Sequence, residues 1–242
     1  MMQTKKYVLF VVEGKNDQIE IQAMLRAFSS DIIKEKYVDV YYPYNGDITF
    51  DEKENTIVGK INNLVVSWRR GETRIHPCYP VSPSDVAKII HVIDMDGAFI
   101  PEKAILTEDV GVVEYTGENI IYSDRSFIVG RNRRKAKNIR KLLTVKSIDN
   151  IPYEVFFMSC NMDHVLHNKQ NSSDEEKEKD ALLFAKRYKQ DIEGFIKFIA
   201  ESDFSVRSNY VESWNYIKQE RPSLERHTNL GLCLTSASKI YM

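Results

Sequence analysis

The sequence has little of what marks a secreted, membrane-spanning or metal-stapled protein. Its three cysteines, Cys78, Cys160 and Cys233, lie 82 and 73 residues apart with no C-x-x-C pair. That spacing excludes a zinc ribbon and a dense disulfide framework, and each cysteine reads as a small buried apolar residue. Apolar runs are short. The run near the start, residues 7–12, ends on Glu13, whereas a signal peptide needs an apolar core of about 7–15 residues and a spanning helix about 20. No membrane association is expected, and the cytoplasm is the expected address. There is no G-x-x-x-x-G-K-[ST] phosphate loop, so any dependence on ATP requires a second polypeptide. A large net charge is also missing: the 242 residues sum to −1. The balance is uneven, however. Residues 125–146 carry nine Lys/Arg and no Asp/Glu, so this segment is +9 and the remainder −10, a local pattern that suits a polyanion where the bulk charge does not.

What is present reads as an α/β protein. Hydrophobic residues make up 43% and charged residues 29% of the chain, ordinary values for a globular protein of one domain or one domain with an appendage. Residues 7–12 form a continuous β-branched and aromatic run, the pattern of a strand buried on both faces in a parallel sheet. Glu13-Gly14 breaks it, and Asn16 or Asp17 can cap a helix carrying Ile19, Ile21, Met24, Leu25 and Phe28. Further strands are expected over 37–42, 88–93, 110–115, 119–122 and 153–158. Helical spacing joins Ile57, Ile61, Leu64, Val65 and Trp68. Pro77, Pro80 and Pro83 predict an extended loop. A basic helix is expected over 131–143, with Ala136, Ile139 and Leu143 as its apolar stripe, and a short helix ends at His167. Beyond residue 168, Ser173 and Glu176 fit a capping box. A long helix over about 174–200 should follow, with Gly194 a weak point, and then one around 210–219.

Two strand ends carry chemistry. Glu13 ends the first strand at a glycine turn; Asp94 and Asp96 end a later strand at Gly97. In an open parallel sheet the groups at the carboxyl ends of strands meet in one crevice. Three carboxylates there repel one another unless a cation is bound. Oxygen ligands with open positions suit Mg²⁺, with Mn²⁺ the alternative, and such an ion polarises a phosphoryl oxygen and activates a water.

The pattern V-V-E-G-K-N-D before an apolar helix, followed by a strand ending I-D-M-D-G, resembles the TOPRIM domain of topoisomerases, bacterial primases, OLD-family nucleases and ribosomal-RNA maturases. The resemblance covers roughly residues 5–165. It implies a Rossmann-like, mostly parallel sheet flanked by helices as the catalytic domain (1–168, with an insertion at about 44–86) and a C-terminal helical region (169–242). It also implies catalytic roles for Glu13, Asp94 and Asp96, with Glu13 in acid–base chemistry or metal binding and the two aspartates holding Mg²⁺. Two features depart from the maturases: Glu102 is at best a displaced counterpart of their acidic residue after D-x-D, and the 81-residue spacing from Glu13 to Asp94 is long. No zinc module of a primase is present, and little room remains for a topoisomerase gate. The stretch 159–167 is similar to RloB-like TOPRIM proteins of phage-defence operons, which makes Asp163 a fourth acidic group near the metal and brings His164 or His167 close.

The implied activity is a metal-dependent nuclease acting on RNA or DNA, with a separately encoded ATPase as partner and antiviral defence as setting. Lys15, Arg131, Arg133, Arg134, Lys137, Arg140 and Lys141 are the candidate backbone-binding residues. Two alternatives stand beside it. One is a non-catalytic TOPRIM-like module that senses or binds a partner. The other is a haloacid-dehalogenase-type phosphatase, whose first motif V-I-D-M-D-G resembles, with Asp94 as nucleophile and Asp96 as general acid. The C-terminal helices are candidates for a homo-oligomer surface, a partner dock or a lid.

Overall fold

A computed structural model describes residues 7–27, 37–41, 48–50, 56–72 and 80–233. Pro77, Cys78 and parts of the expected 44–86 insertion lie outside the described residues. The central sheet has the order β2-β1-β3-β8-β7. Strands β1 (Tyr7–Val11), β2 (Tyr37–Tyr41), β3 (Val86–Asp94) and β8 (Ile151–Met158) run parallel, and β7 (Ser147–Ile148) is antiparallel to β8. The β7–β8 hairpin turns on Asp149 and Asn150, both at positive φ. A two-residue hairpin loop of type I′ requires that conformation at both positions, and Asp and Asn tolerate it.

Continuous apolar strands are explained by helices on both faces. Val8, Phe10 and Val12 pack with Ile21 of α1 (Lys15–Ala27) and with α4 (Met162–His167), α5 (Asp174–Tyr188) and α6 (Ile192–Glu201). Leu9 and Val11 point the other way, toward Ile61, Val65 and Trp68 of α2 (Ile57–Arg69), Ala136 and Ile139 of α3 (Arg125–Leu142) and Trp214 of α7 (Tyr210–Ile217). Alternate residues of a strand face opposite layers, so both layers must be apolar. A second, three-stranded sheet, β4 (Ile105–Thr107), β6 (Ile120–Tyr122) and β5 (Glu114–Tyr115), closes over the start of α3. Helix α2 falls within the expected insertion, yet it buries Ile61 and Trp68 in the main core as the crossover helix into β3.

The connection from β1 to β2 runs through α1 on one face, and that from β3 to β8 through α3 on the other. The strand order therefore reverses between β1 and β3, and the carboxyl ends of these neighbours border the crevice where ligands bind in such sheets.

Two helices differ from expectation. Helix α3 begins at Arg125, where Asp124 caps it by accepting a hydrogen bond from Phe127 N at 3.0 Å, and Leu142 rather than Leu143 completes its buried stripe. The single helix expected over 174–200 is two. Asp191 caps α6 by accepting from Gly194 N at 2.9 Å, and this local bond competes with helix continuation. The capping box at Ser173 and Glu176 forms as expected. Among the described residues no helix is long and apolar enough to cross a membrane.

Gly97 is the glycine the site depends on. It has φ +65, and a Cβ there would lie 2.7 Å from Leu224 Cδ2 and 2.9 Å from Ile120 Cδ1. Gly97→Ala should cost about 2–4 kcal/mol, from the left-handed backbone together with overpacking, read as a lowered midpoint in urea unfolding.

Candidate metal centre

Three strand ends build one cleft. Glu13 lies two residues beyond β1 and is buried. The chain turns at Gly14, whose N–H donates to Asp17 Oδ2 at 2.8 Å, so α1 starts with the Asp17 carboxylate folded back toward the end of β1. Asp94 is the last residue of β3 and lies opposite Met158 of β8. After β8 the chain turns through Cys160, at positive φ, and Asn161 caps α4 by accepting from His164 N at 2.8 Å. Asp163 then falls in the first turn of α4. Glu13, Asp17, Asp94 and Asp163 line a cleft of about 430 Å³ together with Lys15, Asn16 and Asn161, and α5 closes one side with Asp174, Lys177 and Glu178.

The electrostatics are those of crowded acids. Burial pushes the Asp17 carboxyl up to about 6, against the opposing hydrogen bond from Gly14 and with added repulsion from Asp163. Asp94 is raised well above the usual carboxylate range by burial, then by Asp17 and Asp96, with Lys135 opposing. Asp163 is raised by burial, with Lys177 opposing. These carboxylates cannot all ionise cheaply without a cation, and displaced groups gathered in a cleft make it a candidate site.

Asp96 is placed differently. Residues i and i+2 of a strand share a face, but Asp96 already has φ 47 and its N–H donates to Cys160 O at 2.7 Å. It does not line the cleft. Its carboxylate receives Lys135 Nζ at 2.5 Å and Tyr115 Oη at 3.2 Å. Lys135 is completely buried and also lies 3.7 Å from Glu13 Oε2. In the phosphatase alternative Asp96 would act as general acid beside Asp94; here it is taken up by Lys135 and Tyr115 instead. Glu102 is exposed and accepts from Arg133 Nε at 3.0 Å, on the short turn before β4.

The expected nucleic-acid residues divide. Lys15 is exposed at the cleft, and Lys137 and Lys141 are exposed on α3. Arg134 stacks on Phe50 and Arg140 on Phe99, 4.9 and 5.0 Å from the ring centres. Arg131 is buried, donating to Asp96 O at 2.9 Å and Tyr115 Oη at 2.8 Å, so it supports the D-x-D turn and is not on the basic face.

The two histidines also separate. His167 Nε2 lies 2.5 Å from Glu20 Oε1, and with Asp163 these residues bring three ligand atoms within 4.8 Å of one another. Burial pushes Glu20 up to about 7 despite the His167 hydrogen bond. His164 is turned into the protein, where burial, Arg226 and His227 lower it to about 4. His91, in the middle of β3, is a core residue bonded through Nδ1 to Tyr153 Oη at 2.7 Å.

Sequence reasoning missed Asp17, Glu20, Tyr115 and Lys135. Asp17 was readable only as a cap. Lys135 was counted with the basic cluster, although helical spacing sets it beside Ala136, Ile139 and Leu142. Glu20 and Tyr115 carry no such local mark.

Chemically, the cleft offers a set of oxygen donors of the kind that could hold a hard divalent cation. Compared with protein-family models, curated proteins and solved structures, the chain gives no significant match.

Proposed function

We propose that this chain is a Mg²⁺-dependent phosphodiesterase acting on RNA or DNA, built on a TOPRIM-type core. The observation that carries the reading is the convergence of Glu13, Asp17, Asp94 and Asp163 from three strand ends on one cleft. Asp94, Asp17 and Asp163 are the ligands for the ion, which supplies charge neutralisation at the phosphoryl group and a more acidic water when bound. Glu13, held at the head of α1, accepts the proton of the attacking water. Lys15 at the cleft and Lys137 and Lys141 on α3 bind the phosphate backbone. The chain's resemblance to OLD- and RloB-type proteins adds a separately encoded ATPase as partner and defence against phage as the setting.

The test is incubation of the purified chain with tRNA, structured RNA, single-stranded DNA and plasmid, in Mg²⁺, Mn²⁺ or EDTA, beside a Glu13→Gln/Asp94→Asn double variant. Cleavage that needs metal and is lost in the variant establishes the nuclease and its substrate class. Metal binding without cleavage of any substrate points to a nuclease released by its partner. Neither binding nor cleavage leaves the non-catalytic module.

The basic face has its own test. Lys137→Glu/Lys141→Glu should weaken nucleic-acid affinity without changing metal affinity. Two lost phosphate contacts should reduce the slope of log K against log salt by about 1.8 for duplex DNA, measured by anisotropy across a salt series.

A further inference from the structure

Charge compensation in this site is divided between two places. On the cleft side Glu13, Asp17, Asp94 and Asp163 face open volume. On the other side Asp96 faces the protein, and its compensating cation is already covalently part of the chain. Lys135 Nζ sits 2.5 Å from Asp96 Oδ2 and 3.7 Å from Glu13 Oε2, and it opposes the upward displacement of Asp94. No part of Lys135 reaches solvent. A long, strongly hydrated ammonium is not buried this way unless paired, and its partners among the described residues include the glutamate and the second aspartate of the two motifs. The arrangement is braced from outside: Tyr115 donates to Asp96, and Arg131 holds both Tyr115 and the Asp96 carbonyl.

We propose that Lys135 stands in for a metal ion at the Glu13–Asp96 side, so that this chain binds a single divalent cation, through Asp94 and its cleft neighbours, with Asp96 a positioning residue and not a ligand. The inference rests on the cleft being a metal site. The Lys135 side chain places a cationic group of the chain itself against Asp96 and Glu13, and the mobile cation supplies the other charge only when bound. Lys135 further ties α3, which carries the exposed Lys137 and Lys141, to the catalytic carboxylates.

The test counts Mn²⁺ by calorimetry and by electron paramagnetic resonance on the full chain. Wild type should bind one Mn²⁺. Asp94→Asn should lower the affinity by about tenfold or more, the scale of a lost ligand or its direct support, whereas Asp96→Asn should leave it within about threefold. Lys135→Met, which removes the ammonium between Glu13 and Asp96, should gain a second Mn²⁺, and Lys135→Met/Asp96→Asn should return to one. Each variant is checked for cooperative thermal unfolding. If Lys135→Met does not fold, the contrast between Asp96→Asn and Asp94→Asn decides alone. Two Mn²⁺ on wild type, or an Asp96→Asn loss as large as that of Asp94→Asn, overturns the inference while leaving the metal cleft intact. No Mn²⁺ on wild type overturns the metal reading of the cleft itself.

Discussion

Asp94→Asn should abolish cleavage and at the same time make the metal-free protein harder to unfold. Near pH 8 the Asp94 carboxyl either stays ionised against Asp17, Asp96 and Asp163 or takes up a proton on folding, because burial and these neighbours raise it well above the ordinary range. Both routes cost folding free energy, and the neutral amide removes both. Every kcal/mol of relieved penalty should raise the melting midpoint by about 2–4 °C in a chain of this size. Turnover should fall on the order of 10²–10³-fold or more, the scale for removing one group that stabilises transition-state charge. Calorimetric scans in EDTA and cleavage assays in Mg²⁺ on the same preparation check the pair. A variant that is both less stable and still active would show that Asp94 is a structural carboxylate.

The second large effect is the pH dependence of the metal-free fold. Glu20 is raised from its ordinary value near 4.5 to about 7, and Asp17 from near 3.8 to about 6. For a carboxyl raised on folding, the native state holds its proton over a range where the unfolded chain has released it. Stability is then fully present below the unfolded value and declines as pH rises through the folded one. The window here runs from about pH 4 to about pH 7, where each unit of displacement is worth about 1.4 kcal/mol. In EDTA the melting midpoint should therefore fall between pH 5 and pH 7.5. Glu20 faces His167, Asp17 and Asp163, so Glu20→Gln should flatten part of this fall. Saturating Mg²⁺ should offset the share due to Asp17, since a ligand that binds only the native state stabilises it. A midpoint that rises over this range, or that is unaffected by Mg²⁺, would mean that these carboxyls are not crowded as described.

The strands and turns were legible because their causes are local. Six apolar residues from Tyr7 demand cover on both faces, and the two cores supply it. Asp96-Gly97 turns where backbone sterics permit, and Ser173 with Glu176 starts α5 by bonds that span only three residues, whereas the short strands β4 and β7 and the Asp149-Asn150 turn were not expected. The candidate site was legible to the same extent. Glu13 lies just past β1, Asp94 closes β3 and Asp163 opens the helix after β8, and a parallel sheet gathers such ends wherever its strand order reverses.

Local sequence patterns carry the α/β layering, the strand ends and the residue types that meet there. What each charge does depends on packing between distant elements. Asp96 turns from the cleft because its backbone is left-handed and a lysine from α3 awaits it. Arg131 and Lys135 are lost to the basic face because their partners, Tyr115, Asp96 and Glu13, approach from other elements. Asp174, Lys177 and Glu178 join the cleft although they lie beyond residue 168. A charged side chain on a helix costs little in water and much in the core unless a counter-charge is brought to it. Its fate therefore depends on residues far away in the chain, which no local pattern records.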